Sequence, residues 1–139
     1  MDPRFVPVGV DHQRVLSILR TLFPAADDIT IVYSHEVRFF GGPDLQRIFC
    51  PRCGSEFPDG WWADMMSHAF ESSRFLDLAV TVPCCAATTT LNDLVYDWPT
   101  GFARFSLEVR SPGAGKEAIA ISPLETALGM PLRVILGRH

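Results

Sequence analysis

The sequence is short of lysine. Lys116 is the only one, and arginine supplies the other eleven of the twelve basic residues. A bias of this kind is what a GC-rich coding genome produces, so a bacterial source is the expectation. It also leaves a surface able to pair carboxylates through planar guanidinium groups. No stretch approaches the roughly 18 consecutive apolar residues that a helical membrane span needs. The first residues, MDPRFVPVGV, lack the charged start, long apolar run and small-residue cleavage site of a signal peptide. The expected compartment is therefore cytoplasmic and reducing, with no membrane association. There is no excess of positive charge: sixteen acidic residues against twelve basic give a net charge of -4. That balance argues against a nucleic-acid binder working by phosphate neutralisation. Internal repeats, low-complexity tracts and charge blocks are also missing.

What is present suits one compact domain over residues 1–139, with 47% apolar and 20% charged residues. Eleven prolines and ten glycines, spread along the chain, imply short elements and frequent turns. Residues 11–23 have helical spacing, with Asp11 as cap, Val15, Leu19 and Leu22 on one stripe, and Pro24 as the stop. ITIVYS and EVRFF are predicted as two strands, followed by a turn at Gly41-Gly42-Pro43-Asp44, and LQRIF as another strand. PDGWWADMMSHAFESSRF is predicted as the second helix, capped by Asp59. Trp62, Met65, Met66, Ala69 and Phe70 form its core stripe. Trp61, His68 and Phe75 form a second line, either core or an exposed strip for a partner. DLAVTV and GFARFSLEVR read as strands, and AATTTLNDLVYDWP between them fits either strand or helix. SPGAGKEA reads as a loop. SPLETALG reads as a short helix with Ser122 as cap, Pro123 at its first position, Glu125 closing a capping box and Gly129 at its end. LRVIL is a final strand. Together these elements predict an α+β fold with a largely antiparallel sheet and about three helices.

The chemistry sits in the cysteines. In IFCPRCGSEF, residues 48–57, Cys50 and Cys53 are separated by two residues, and Gly54 follows. Thiolates bind Zn²⁺ tetrahedrally at about 2.3 Å, and a two-residue spacer brings both sulfurs to one ion. Pro51 pre-sets one dihedral of the turn, and Gly54 can take the positive φ that lets the chain leave it. CPRCG, residues 50–54, resembles the knuckle of the zinc-ribbon and rubredoxin-like class. The resemblance covers five residues and implies a metal half-site, with no function attached.

The second half departs from that class. Thirty residues separate Cys53 from Cys84, and the partners Cys84 and Cys85 are adjacent. Neighbouring side chains on an extended strand point to opposite faces. Both sulfurs reach one ion only if the chain turns at Pro83-Cys84-Cys85. The expected metal ligands are Cys50, Cys53, Cys84 and Cys85, holding a structural Zn²⁺ that staples the fold. A three-cysteine site completed by His35, His68 or His12 is the alternative. His35 and Glu36 are adjacent, so they do not match the H-x-E signature of zinc deaminases. Gly113-Ala114-Gly115-Lys116 lacks the first glycine and the terminal hydroxyl of a phosphate loop. No catalytic residue is assigned. The expected function is a non-enzymatic protein-interaction domain, of the kind an inhibitor or immunity-type protein uses to mask a partner, or a homo-oligomer subunit. Asp93 and Asp97 offer an acidic rim for a basic partner. The competing readings are a small zinc-dependent enzyme with a three-cysteine site and a nucleic-acid-binding zinc module.

Overall fold

The structure is a computed structural model and describes residues 2–41, 45–113 and 120–135. Among these, three helices and six strands follow the order α1 (His12–Leu22), β1 (Asp28–Phe40), β2 (Ile48–Phe49), α2 (Trp61–Ser73), β3 (Ala79–Thr81), β4 (Thr88–Thr90), β5 (Val95–Tyr96), β6 (Gly101–Arg110) and α3 (Ser122–Leu128). The α+β class expected from the sequence is what forms, with three antiparallel strand pairs, β1–β6, β2–β5 and β3–β4. None of the described helices is long and apolar enough to cross a membrane.

The chain divides into two compact units. One comprises Met1–His35 and Arg104–Arg133, the other Glu36–Ala103 and Val134–His139. Two strands run through both. ITIVYS and EVRFF, predicted as separate strands, join into the single β1, because His35, the one residue between them, carries no turn signal strong enough to break it. Odd-numbered residues of β1 serve the core of each unit in turn: Ile29 and Ile31 in the first, Val37 and Phe39 in the second. In β6 the buried parity changes between Phe102 and Phe105, which accounts for its imperfect alternation.

In the first unit, Val15 and Leu19 are four residues apart on α1, so they lie on one face, where they pack with Phe105, Leu124 and Leu128. Asp11 caps α1 as expected, its carboxylate accepting from the backbone N–H of Arg14 at 3.1 Å. Helix α3 begins differently from expectation. Its N-cap is Ile121, with no side-chain cap. Glu125 does not close a box. Its carboxylate instead accepts from the backbone N–H of Leu132 at 2.9 Å, and that bond draws the following chain back over the helix. Gly129 takes the left-handed conformation expected of it (φ 70°). Residues 132–135 of the predicted LRVIL strand are not in a strand. Leu136, part of the 41–44 turn and most of SPGAGKEA, with Lys116, lie outside the described residues.

The second unit carries the cysteines. Helix α2 starts one residue later than predicted, at a Pro58-Asp59-Gly60 turn with Gly60 left-handed (φ 85°), so Asp59 does not cap it. Trp62, Met65, Met66 and Ala69 pack into the core as expected. Phe70 does not. It is 40% exposed, lies against the Arg74 guanidinium at 4.4 Å, and tilts on Phe75. Trp61 and Phe75 also belong to the core, Trp61 stacking on Phe57 at 4.3 Å, whereas His68 faces solvent. The aromatic line therefore closes inward and does not form an exposed strip. The ambiguous segment 86–99 resolves into β4, a turn and β5. Leu91 is fully buried, and its backbone N–H donates to Leu78 O at 2.9 Å. Tyr96 donates its hydroxyl to Leu91 O and accepts from Trp62 Nε1 at 3.1 Å, so this aromatic braces the core.

Candidate metal centre

Two short hairpins bring the four cysteines together. The first is held at its base by β2: Phe49 bridges Glu56, and the Arg47 guanidinium meets the Glu56 carboxylate at 2.8 Å while lying over the Phe49 ring. Where the knuckle closes, Cys50 N donates to Ser55 O at 2.8 Å, Gly54 N donates to Cys50 O at 3.0 Å, and Gly54 has φ 78°. The glycine works as the sequence implied, turning the chain out of the knuckle with no Cβ to resist.

The second hairpin repeats the first, residue for residue, at an offset of 32. Val82 N donates to Ala87 O at 2.9 Å, Ala86 N donates to Val82 O at 3.1 Å, and Ala86 has φ 59°. Thr81 pairs with Thr88 as Phe49 pairs with Glu56. Val82 thus stands where the first hairpin has Cys50, Cys84 where it has Arg52, and Cys85 where it has Cys53. The turn that adjacent cysteines required is present, and it is a knuckle whose first thiol has moved from the base to the tip. Only Pro51 with Pro83 and Cys53 with Cys85 record the repeat in the sequence. A Pro-x-Cys pair at 51–53 and 83–85 was the available signal.

Ala86 occupies a backbone conformation that costs a residue with a Cβ about 1–2 kcal/mol. Replacing Ala86 with glycine is expected to raise stability by about 1 kcal/mol. The check is the urea midpoint of the metal-loaded protein.

The four sulfurs lie within 4.8 Å of one another. Cys53 Sγ is 3.3 Å from Cys84 Sγ, and Cys50 Sγ is 3.9 Å from Cys85 Sγ. Four thiolates around one tetrahedral Zn²⁺ at about 2.3 Å would sit about 3.8 Å apart. The observed separations bracket that value, so the cluster fits a single ion without rearrangement of the hairpins. A set this tight does not suit a multi-iron cluster, whose cysteines spread around several irons. Cys50 is 1% exposed; the other three cysteines are on the surface. His12 is elsewhere, in the first unit, within 2.8 Å of the Tyr33 hydroxyl. Among the described residues the group consists of cysteines alone, with none of His12, His35 and His68 joining it.

The knuckles treat their sulfurs unequally. Burial pushes the Cys50 thiol up, but the backbone N–H groups of Cys53 and Arg52 outweigh it and the net shift is down. Arg52 N lies 3.3 Å from Cys50 Sγ. Cys53 is lowered to about 6, first by the Ser55 hydroxyl, 3.3 Å from its sulfur, then by the Ser55 backbone N–H and the Cys84 thiol. Cys84 is raised to about 12, by desolvation of its sulfur and then by the thiols of Cys53, Cys50 and Cys85. Of these two touching sulfurs, Cys53 is the more acidic and Cys84 the less. Alkylation of metal-free protein kept below its melting transition is therefore expected to label Cys53 with a midpoint near pH 6 and to leave Cys84 unlabelled through pH 8. Peptide mapping after iodoacetamide reads both. Metal binding requires all four protons to leave, so affinity is expected to fall as the pH is lowered.

Asp93 and Asp97 are partly committed to local structure. Asp93 accepts from the Thr90 hydroxyl, and Asp97 accepts from Gln46 N at 3.0 Å. Charge is nevertheless uneven along the chain. The first unit holds seven basic and seven acidic residues, the second five basic and nine acidic, so the whole net charge of -4 resides with the cysteines.

The chain matches no protein-family model, no curated protein and no solved structure.

Proposed function

We propose that this protein is a small zinc-binding, non-enzymatic interaction domain. In this reading one structural Zn²⁺ is held by Cys50, Cys53, Cys84 and Cys85. The observation that carries the metal is the spacing of four sulfurs drawn from two matching hairpins. A four-thiolate set saturates the ion, leaving no position for water or substrate, which favours a structural role. Two knuckles joined through one ion tie segments on either side of α2, so metal binding contributes directly to folding.

The partner reading rests on charge. Four thiolates around a divalent ion leave a net negative site, placed in the unit that already holds the excess acid. Such a surface recruits a basic protein partner and repels nucleic acid. An inhibitor or immunity-type protein that masks a basic face on its target fits this description, in a cytoplasmic compartment where thiols stay reduced.

Elemental analysis of purified protein tests the metal. One zinc per chain with four protected thiols supports the reading. Iron in its place would retain the site and change the metal. Four freely reactive thiols in protein carrying no metal would overturn it. Cobalt substitution gives a second readout, because tetrahedral thiolate ligation produces intense visible bands.

A further inference from the structure

The arrangement of the sulfurs carries a consequence for oxidation. Two of the sulfur contacts join one hairpin to the other: Cys53 with Cys84 at 3.3 Å and Cys50 with Cys85 at 3.9 Å. Cys53 and Cys84 are also both exposed, whereas Cys50 is 1% exposed. An oxidant arriving from solvent therefore meets Cys53 and Cys84 together, and each is already in contact with the sulfur it would join. Pairing of Cys84 with Cys85 is disfavoured. Cys84 and Cys85 are adjacent residues, and a disulfide between them would have to distort the turn that Val82 and Ala86 close.

We propose that Cys53 and Cys84 form an oxidation site for small hydroperoxides, where a disulfide across the two hairpins takes over the metal's tie. This rests on the zinc reading for its metal-release arm only. One cysteine thiolate attacks a peroxide oxygen. The O–O bond breaks, and the departing hydroxide or alkoxide is protonated by solvent. The sulfenic acid so formed is attacked by the second thiolate, the S–S bond forms, and the hydroxyl leaves as water after protonation. Two thiolates lose two electrons, the peroxide gains two, and two protons are consumed. Two of the four ligands are then gone, and the ion is left with Cys50 and Cys85 alone. The new bond connects the same two hairpins the ion connected, so the cysteine-bearing unit keeps its topology on losing the metal. A reducing thiol reverses the step by exchange. The metal and the disulfide are alternative forms of one crosslink, selected by peroxide level.

The test uses the full-length protein, metal-loaded and metal-free, each titrated with hydrogen peroxide below its melting transition. The readouts are peptide mapping under non-reducing conditions, a colorimetric zinc indicator and circular dichroism. The expected first product in both forms is the Cys53–Cys84 disulfide, with free thiols falling from four to two. In the loaded form zinc is released in step with it, and the far-ultraviolet spectrum is retained. A first disulfide at Cys50–Cys53 or Cys84–Cys85, a crosslink between chains, or progression to sulfinic acid without a disulfide would overturn the proposal. So would loss of the spectrum on forming Cys53–Cys84. Protein that never takes up zinc but still forms Cys53–Cys84 first would defeat the zinc reading and leave the oxidation site standing.

Discussion

Replacing Cys85 with serine is expected to abolish stoichiometric metal binding and to unfold the cysteine-bearing unit at temperatures where the parent protein is folded. A serine hydroxyl does not ionise at neutral pH, so the ion would keep three thiolates and lose the one that mirrors Cys53 in the second knuckle. Structural zinc in small modules supplies about 10–16 kcal/mol of apparent binding free energy, nearly all of it expressed as folding. That is comparable to the whole stability of an ordinary domain, about 5–15 kcal/mol. The strands around the site are two or three residues long, and strands this short depend on what holds their ends. The metal-to-protein ratio and a thermal melt followed by circular dichroism measure the effect. A strong chelator added to the parent protein should reproduce the melt of the variant. A Cys85→Ser protein that keeps one metal per chain and an unchanged melting temperature would rule out Cys85 as a ligand.

The second large effect is expected at Leu91. Leu91→Ala should cost about 2–5 kcal/mol, the range for deleting a fully enclosed leucine side chain. Leu91 has no exposed surface and packs with Leu78, Val80, Val82 and Leu94 in the core of the cysteine-bearing unit. Its N–H is tied to Leu78 O, which limits how far the surroundings can collapse into the space left behind. Val95, four residues on, is 48% exposed, and Val95→Ala should change stability by no more than about 0.5 kcal/mol. Urea denaturation of both variants with metal present separates the two. Equal midpoint shifts would mean that Leu91 is no more enclosed than Val95.

The contrast between Leu91 and Val95 also marks where reading the sequence stops working. Both are branched apolar residues in a segment whose alternation suits strand or helix. Burial there is decided by a backbone bond from Leu91 to Leu78, thirteen residues away. Phe70 is a similar case. Its place in a helical stripe assigns it to the core, yet Arg74 and Phe75 both leave α2 with positive φ (52° and 66°), and this exit holds Phe70 at the surface against Arg74. Asp59 and Ser122 are good capping residues by type, and neither caps. In one case a left-handed Gly60 starts the helix, and in the other Ile121 does.

The sequence by itself determined the first knuckle and the class of fold. Cysteine spacing, Pro51 and Gly54 specify a knuckle because a two-residue turn is a local object, complete within five residues. The stripe of α1 and its Asp11 cap are local for the same reason. The adjacent pair at 84–85 also limits its own options, since only a turn there can aim both sulfurs at one ion. Tertiary structure alone decided that this turn is a second knuckle with its first thiol transposed, Val82 standing where Cys50 stands. The hairpin's identity resides in backbone hydrogen bonds and a left-handed Ala86, and these leave almost no trace in side-chain type. The cross-hairpin pairing of Cys53 with Cys84 was equally out of reach. It depends on how two segments thirty residues apart meet, and that is set by the packing of the core between them.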